Sequence, residues 1–413
     1  MLIEFSVANF HSFRDRQTFS MVAAPRLMKK NNVFHPNLKG DKVPGLLKVA
    51  AIYGPNASGK SSLVNAFNIV ARILRDNKSK ILPVDPFRFD PSLANKPSEF
   101  EYHFITNGVR YQFSLAATKE RIIKEMLIAY PKGNESLLYS REYLPSGEKY
   151  IFGEDLEGGD VVHEAWKRLT SPTTLFIMQA VENSSEELDQ LGIPLRWFGP
   201  QSNTILQNGM VQWAAFSKTI LKQSGGIESN LQEFLQQIDV PITSIRLEEK
   251  DPTWVLDADL SFQERHAAIQ KNVRTILTHE TALGKAEFDF SEESGGTKNL
   301  MGFWVPWVLL TMKNSDSLLM VDELDSSLHP KIVEDLVKRH VESKSNSQLI
   351  FTTHDTHLMN TKKMRRDQFW VTERDANGAT ILRSVHDYEG REGENIEKRY
   401  YEGRYRGLPI LRT

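Results

Sequence analysis

Residues 54–61 read Gly-Pro-Asn-Ala-Ser-Gly-Lys-Ser and satisfy the pattern G-x-x-x-x-G-K-[ST]. No other feature restricts the fold as much, because the pattern works only as a turn between a strand and a helix. The flanks comply. Leu46 to Tyr53 is apolar and β-compatible, and Ser61 to Leu74 places Leu63, Phe67, Val70 and Leu74 at helical spacing. Such a turn points backbone N–H groups at an anion, and the helix N-terminus adds partial positive charge. Gly54, Pro55, Asn56, Ala57, Ser58 and Gly59 are therefore expected to cradle the phosphates of a nucleoside triphosphate, with Lys60 reaching the outer ones. The Ser61 hydroxyl is placed to ligate Mg²⁺, with Ser62 beside it in the first helical turn.

Composition narrows the setting. The chain has 413 residues, 40% hydrophobic and 25% charged, which is enough apolar material for a large core and room for two to three average domains. A net charge of −2 supplies no global drive toward nucleic acid or an anionic membrane. With no cysteine, disulfides and thiolate zinc sites are excluded. The opening Met-Leu-Ile-Glu-Phe-Ser lacks the build of a signal peptide, and the longest mostly apolar run, Phe303 to Met312, is short and holds Pro306. A cytoplasmic protein without a membrane segment is expected.

Periodicity predicts an α/β chain in three parts, residues 1–150, a mainly helical 151–240 and residues 241–413. In the first part, strands are expected around Ile3, Phe5 and Val7, near Gln17 to Val22, and over Glu99–Ile105 and Val109–Ala116. The last two join at Asn107-Gly108, a hairpin signal. Helical spacing marks Val162–Leu169, Ile205–Leu221 and Ile227–Ile238, without sustained heptads, so a compact lever or docking platform is expected there. Strand-like stretches follow at Ile242–Glu248, Trp254–Leu260 and Glu287–Phe290. Helix, strand, helix and strand are then expected over 297–312, 317–321, 330–343 and 348–353, and a hairpin over 368–385 with Asp375-Ala376-Asn377-Gly378 as its turn.

Leu318-Leu319-Met320-Val321-Asp322-Glu323 is an apolar strand running into two carboxylates. After a phosphate loop, such a pair suits a metal-holding acid, Asp322, followed by a base for water, Glu323. As a bare pattern it is also a buried strand meeting an acidic turn. Asp325-Ser326-Ser327-Leu328-His329-Pro330 reads as a helix start. His354 ends the next apolar strand, where a hydrogen bond to a γ-phosphate competes with a structural role. His354, Asp355 and His357 form a local cluster too sparse for a metal site. Upstream, Glu293-Ser294-Gly295-Gly296-Thr297 opens the helix that leads to the acidic strand, presenting free N–H groups and a hydroxyl to an anion.

This order of phosphate loop, Ser-Gly-Gly signature, acidic strand, Asp-loop and His-loop resembles an ABC/SMC-type ATPase head. The opening Phe5-Ser6-Val7-Ala8-Asn9-Phe10-His11-Ser12-Phe13 is similar to that group's first strand and nucleotide-facing turn. The chain resembles more closely the OLD-like and RloA-like AAA-family ATPases of bacterial phage-defence and abortive-infection loci. Pro86-Phe87-Arg88-Phe89-Asp90, the 292–298 signature and Tyr401-Glu402-Gly403-Arg404-Tyr405 carry that likeness. The resemblance implies an α/β fold, a mixed sheet core plus an antiparallel β lobe. It implies ATP and Mg²⁺ at Lys60, Ser61 and Asp322, Glu323 as general base and His354 as γ-phosphate sensor. Ser294, Gly295 and Gly296 would contact the nucleotide of a partner subunit, with Asp325 coupling the two.

Two departures accompany it. No glutamine stands out as the metal-contacting residue, which leaves that role open between Asp85 and Gln112. No TOPRIM nuclease follows His354, so a companion protein encoded nearby (a nuclease, a TOPRIM protein or an RloB-like one) is expected to act as effector. The expected assembly is a homodimer or higher homo-oligomer with ATP sandwiched at the interface. The alternative is an ATP-gated DNA clamp, with nucleic acid held by Lys362, Lys363, Arg365, Arg366, Arg399, Arg404, Arg406 and Arg412.

Overall fold

The computed structural model describes residues 1–408 except 39, 78, 185, 186, 208, 225, 226, 239, 252, 258, 259, 327, 361, 362 and 392. Of the residues singled out above, Ser327, Lys362 and Arg412 lie outside the described set.

A six-stranded sheet organises the molecule, in the order Ser202–Ile205, Leu318–Val321, Gln348–Thr352, Val49–Tyr53, Phe369–Arg374, Thr380–Ser384. The first five run parallel and the last returns antiparallel. Every residue of Leu318–Val321, Gln348–Thr352 and Val49–Tyr53 is buried. Continuous apolar runs behave this way when both faces of a parallel sheet are covered. Alternate residues enter two cores: Ala50, Ile52, Met320 and Ile350 one, and Val49, Ala51, Val321 and Phe351 the other.

The first core is closed by a seven-stranded antiparallel sheet, ordered Gly147–Phe152, Ser136–Leu144, Ile122–Tyr130, Val109–Ala117, Ser98–Thr106, Leu2–Ala8, Gln17–Ser20. Its Asn107-Gly108 turn has φ of 50° and 75°, the left-handed pair a two-residue hairpin of this type requires. Buried Gln348 fastens this lobe to the core sheet: its Oε1 accepts from the Leu2 N–H at 2.5 Å and its Nε2 donates to Leu2 O at 2.9 Å. A mixed sheet core with an antiparallel lobe is the α/β head architecture expected from the sequence.

Within residues 151–240, helices Gly159–Leu169, Phe176–Glu182 and Asp189–Arg196 insert Trp166, Phe176 and Leu191 into the first core, and Trp197 follows them there. Trp197 stacks on Phe104 of the lobe at 4.2 Å. The helix expected from Ile205 instead begins at Met210, because Ser202–Ile205 is a strand that pairs with Leu318–Val321. Ser-Asn-Thr-Ile has one apolar residue and no period of its own; pairing with a partner over 100 residues away decides it.

The second core packs helices Glu228–Gln237, Gly295–Thr311 and Pro330–Glu342 beneath the sheet. A three-stranded sheet, Ile242–Glu249, Val273–Thr281, Gly284–Asp289, precedes the signature. The strand expected over Trp254–Leu260 is absent from its described residues 254–257 and 260, and helix Phe262–Asn272 and strand Val273–Thr281 follow instead. Among the described residues no helix is long and apolar enough to cross a membrane.

Candidate functional site

Parallel strands deliver their C-terminal loops to one edge, and in open α/β sheets that edge is where ligands bind. Ile205 is level with Val321, Val321 with Phe351, and Thr352 with Ile52. Gln207, Asp322-Glu323, Thr353-His354 and Gly54 therefore leave the sheet side by side.

The phosphate loop is tightly held. Gly54 and Gly59 have φ of 151° and 105°; a Cβ would lie 2.2 Å from Thr372 Oγ1 at the first and 2.0 Å from Thr380 Oγ1 at the second, so neither position takes a side chain. Thr372 donates to Tyr53 O at 3.1 Å and sits 2.5 Å from Ser58 Oγ, and Thr380 donates to Ser58 O at 2.9 Å. Helix Lys60–Phe67 starts directly behind, with Ser61 and Ser62 partly exposed in its first turn. Pro55, Asn56 and Ala57 form the outer part of the loop, Ala57 with a φ of 60°. Lys60 is buried and donates to Gly54 O at 2.8 Å and Pro55 O at 3.2 Å. Burial lowers its pKa, against the opposing pull of Asp322, Glu323 and Asp325. That opposing pull identifies the three acids as its electrostatic neighbours.

A buried threonine that the sequence did not single out organises the acids. Thr352 donates to Asp322 Oδ1 at 2.7 Å and accepts from the Glu323 N–H at 2.7 Å. The Asp322 N–H bonds Ile205 O at 2.8 Å. Glu323 itself is left-handed, φ 54°, an unfavourable conformation for a non-glycine residue. Its Oε2 accepts from Gln207 Nε2 at 3.1 Å. The glutamine beside the acids is Gln207, outside the interval from Asp85 to Gln112 considered above; Gln112 sits in the lobe and accepts from Tyr130 OH at 3.2 Å. Gln207 escapes sequence reasoning because the strand before it does. Asp325 accepts from the His354 N–H at 3.3 Å, and the His354 side chain is exposed.

Ser294 caps helix Gly295–Thr311, accepting from the Thr297 N–H at 3.1 Å. Ser294 and Gly295 are exposed and Gly296 partly so. That helix runs back to the strand carrying Asp322, which sets its N-terminus at the same edge as the phosphate loop. Asn299, in its second turn, donates to Ser326 O at 3.1 Å and ties the signature to the Asp-loop. A cleft bordered by Gln207, Met210, Asn299, Asp322, Glu323 and Ser326 joins them.

Ser61 and Asp322 offer hydroxyl and carboxylate oxygens, the hard donors Mg²⁺ takes a few of before phosphate and water complete its shell. No cluster of three or more His, Cys, Asp and Glu able to hold a metal occurs among the described residues, so His354, Asp355 and His357 form none. The basic side chains considered for nucleic acid are largely neutralised: Lys363 by Glu334, buried Arg365 by Asp367 at 2.6 Å, Arg366 and Arg399 by Glu394 at 3.3 and 2.6 Å, and Arg404 by Glu402 at 3.0 Å.

A search of curated proteins finds no match. Among solved structures, the SMC head bound to the C-winged-helix domain of ScpA is 15% identical with a TM-score of 0.44, covering 93% of this chain and 97% of that one. The SMC head domain from Thermotoga maritima is 15% identical with a TM-score of 0.41, covering 93% and 98%. At these scores the fold rests on the chain's own sheet order and loop geometry. A family model described as "AAA domain, putative AbiEii toxin, Type IV TA system" matches residues 49–360, from the phosphate-loop strand past the His-loop, and the chain belongs to this AAA-domain family.

Proposed function

We propose that the chain is an ATP-binding and ATP-hydrolysing switch, acting as a homodimer or higher homo-oligomer, that controls a partner effector in anti-phage defence. One observation carries the reading: the phosphate loop, the paired acids, Gln207, the His-loop and an exposed Ser294 helix N-terminus all open at a single sheet edge. The family description reads "putative AbiEii toxin, Type IV TA system", and a two-component system of that kind is consistent with a chain working with a companion protein.

On this reading Lys60 exchanges the Gly54 and Pro55 carbonyls for phosphate oxygens when ATP enters. Ser61 and Asp322 would hold Mg²⁺, whose charge offsets that of the phosphates. Glu323, steered by Gln207, takes a proton from the attacking water as the bond between the β-bridging oxygen and the γ-phosphorus breaks, leaving ADP and phosphate. His354 faces the γ-phosphate. Ser294, Gly295 and Gly296 of a second copy close over the same nucleotide, with Asp325 linking the two sites. Loss of the γ-phosphate removes the bridge and reopens the interface.

Glu323→Gln separates binding from turnover. The variant should bind ATP with wild-type affinity and lose hydrolysis by a factor on the order of 10²–10⁴. Wild-type turnover in that variant rejects Glu323 as the base.

A further inference from the structure

Behind the phosphate loop, three buried oxygens have no hydrogen-bond partner among the described residues. The first is the hydroxyl of Tyr53, the residue before Gly54, which is 1% exposed. The others are Asp325 Oδ1 in the Asp-loop and Asp355 Oδ2 in the His-loop. Buried polar atoms are almost always satisfied, so such a group calls for a partner that the chain does not itself supply.

The fold brings the three together. The Thr353 N–H donates to Ile52 O at 3.1 Å, which seats the His-loop against the end of the strand that carries Tyr53. Asp325 Oδ2 accepts from the His354 N–H at 3.3 Å, and Asp355 Oδ1 from the His357 N–H at 2.9 Å. Each carboxylate thus spends one oxygen on the His-loop backbone and keeps the other inside. Both act on the Tyr53 phenol: burial raises its pKa most, and the charges of Asp355 and then Asp325 raise it further. The phenol is therefore a neutral hydroxyl facing two anions. Glu397, the next acid out, is engaged by Thr356 Oγ1 at 3.0 Å.

Charge decides what the partner is. Neither Asp325 nor Asp355 has an ion pair among the described residues, and Lys60, whose ammonium feels Asp325, donates to Gly54 O and Pro55 O. A water would satisfy the hydroxyl and both carboxylates but leave two negative charges together. A cation settles the charge as well, since buried carboxylates are paired or coordinate a metal. Mg²⁺ is commonly held by one or two carboxylates and keeps several waters. Two acids and a phenol therefore suffice where a cluster of three acids is absent.

We propose that Tyr53 OH, Asp325 Oδ1 and Asp355 Oδ2 bind a divalent cation of the Mg²⁺ kind, at a site separate from the one Ser61 and Asp322 would form. The ion pins the Asp-loop and the His-loop to the strand that feeds the phosphate loop. It needs no nucleotide, so the site stands or falls apart from the reading above.

The test uses Mn²⁺ as a paramagnetic probe on the full chain without nucleotide. Wild type should take up Mn²⁺, and Mg²⁺ should displace it. Asp355→Asn should abolish uptake, Tyr53→Phe should weaken it about 10-fold, and Asp322→Asn should keep it. Tyr53→Phe keeps the ring in the core, so its effect is read on an intact fold. Uptake lost in Asp322→Asn but kept in Asp355→Asn and Tyr53→Phe moves the ion to the paired acids and overturns the site. A wild type that takes up no Mn²⁺ at millimolar concentration makes the partner a water and overturns it equally.

Discussion

At the scale of single residues, Thr352 concentrates the most consequence in one hydroxyl. It is fully buried and satisfies both Asp322 Oδ1 and the strained Glu323 backbone. Thr352→Val keeps the shape and leaves a buried carboxylate oxygen and an N–H without a partner, which costs about 1–3 kcal/mol. Urea unfolding should show that loss, and steady-state assays should show reduced hydrolysis with ATP affinity kept. Unchanged kcat would mean that the acids position themselves without it. His340 offers a separate residue-scale test far from the acids. It is fully buried and donates from Nε2 to Lys48 O at 3.1 Å, and burial lowers its pKa to about 4. The unfolded chain therefore takes up a proton near pH 6.5 that the folded chain refuses until about pH 4. Stability is intact above pH 6.5 and falls as pH drops through that window, by roughly 3 kcal/mol in all. His340→Gln keeps a donor for the Lys48 carbonyl and should flatten the curve by one proton. An identical pH slope in wild type and variant would assign the acid sensitivity to other groups.

At the scale of elements, legibility followed the range of the forces involved. The loop at Gly54–Ser61, the Asn107-Gly108 hairpin and the apolar strand ending in Asp322 are set by local backbone chemistry and by continuous burial, both written in adjacent residues. Ser202–Ile205 is set by pairing with a distant strand and carries one apolar residue out of four. Gln207 was hidden for the same reason, since its role follows from the strand before it. Glu125 shows the same limit from the packing side. It sits in strand Ile122–Tyr130 as a carboxylate with no local excuse for full burial. Its partners lie far along the chain: it accepts from the Phe176 and Ile177 N–H groups at 2.7 and 3.1 Å, capping the helix Phe176–Glu182, and from Tyr139 OH at 2.6 Å. Glu125→Leu should leave the helix N-terminus and Tyr139 unsatisfied inside the first core and destabilise the fold by about 3 kcal/mol. A shift in the urea midpoint worth less than about 1 kcal/mol would show the helix to be held by its apolar face alone.

At the scale of the whole molecule, the sheet order separates two surfaces that one nucleotide would share under the proposed function. The strand feeding Gly54 and the strand ending at Asp322 are two positions apart, with Gln348–Thr352 between them, a separation of about 10 Å. Ser294 lies farther out, at the head of the helix that precedes the acidic strand, and its exposed hydroxyl bonds Thr297 within its own helix. Asn299 and Ser326 join that helix to the Asp-loop, so a ligand seated on Ser294 would pull on the loop beside the acids. On the proposed function, a second copy facing the first would bring its Ser294 to a nucleotide held by Lys60. In a Glu323→Gln background, ATP should therefore double the mass seen by light scattering. Adding Ser294→Arg puts a bulky cation on the shared surface, away from the phosphate loop. The combined variant should stay monomeric while still binding ATP, and salt should not rescue it if bulk alone blocks closure. Dimers that form equally well with Ser294→Arg would place the interface elsewhere and leave each chain to hydrolyse ATP by itself.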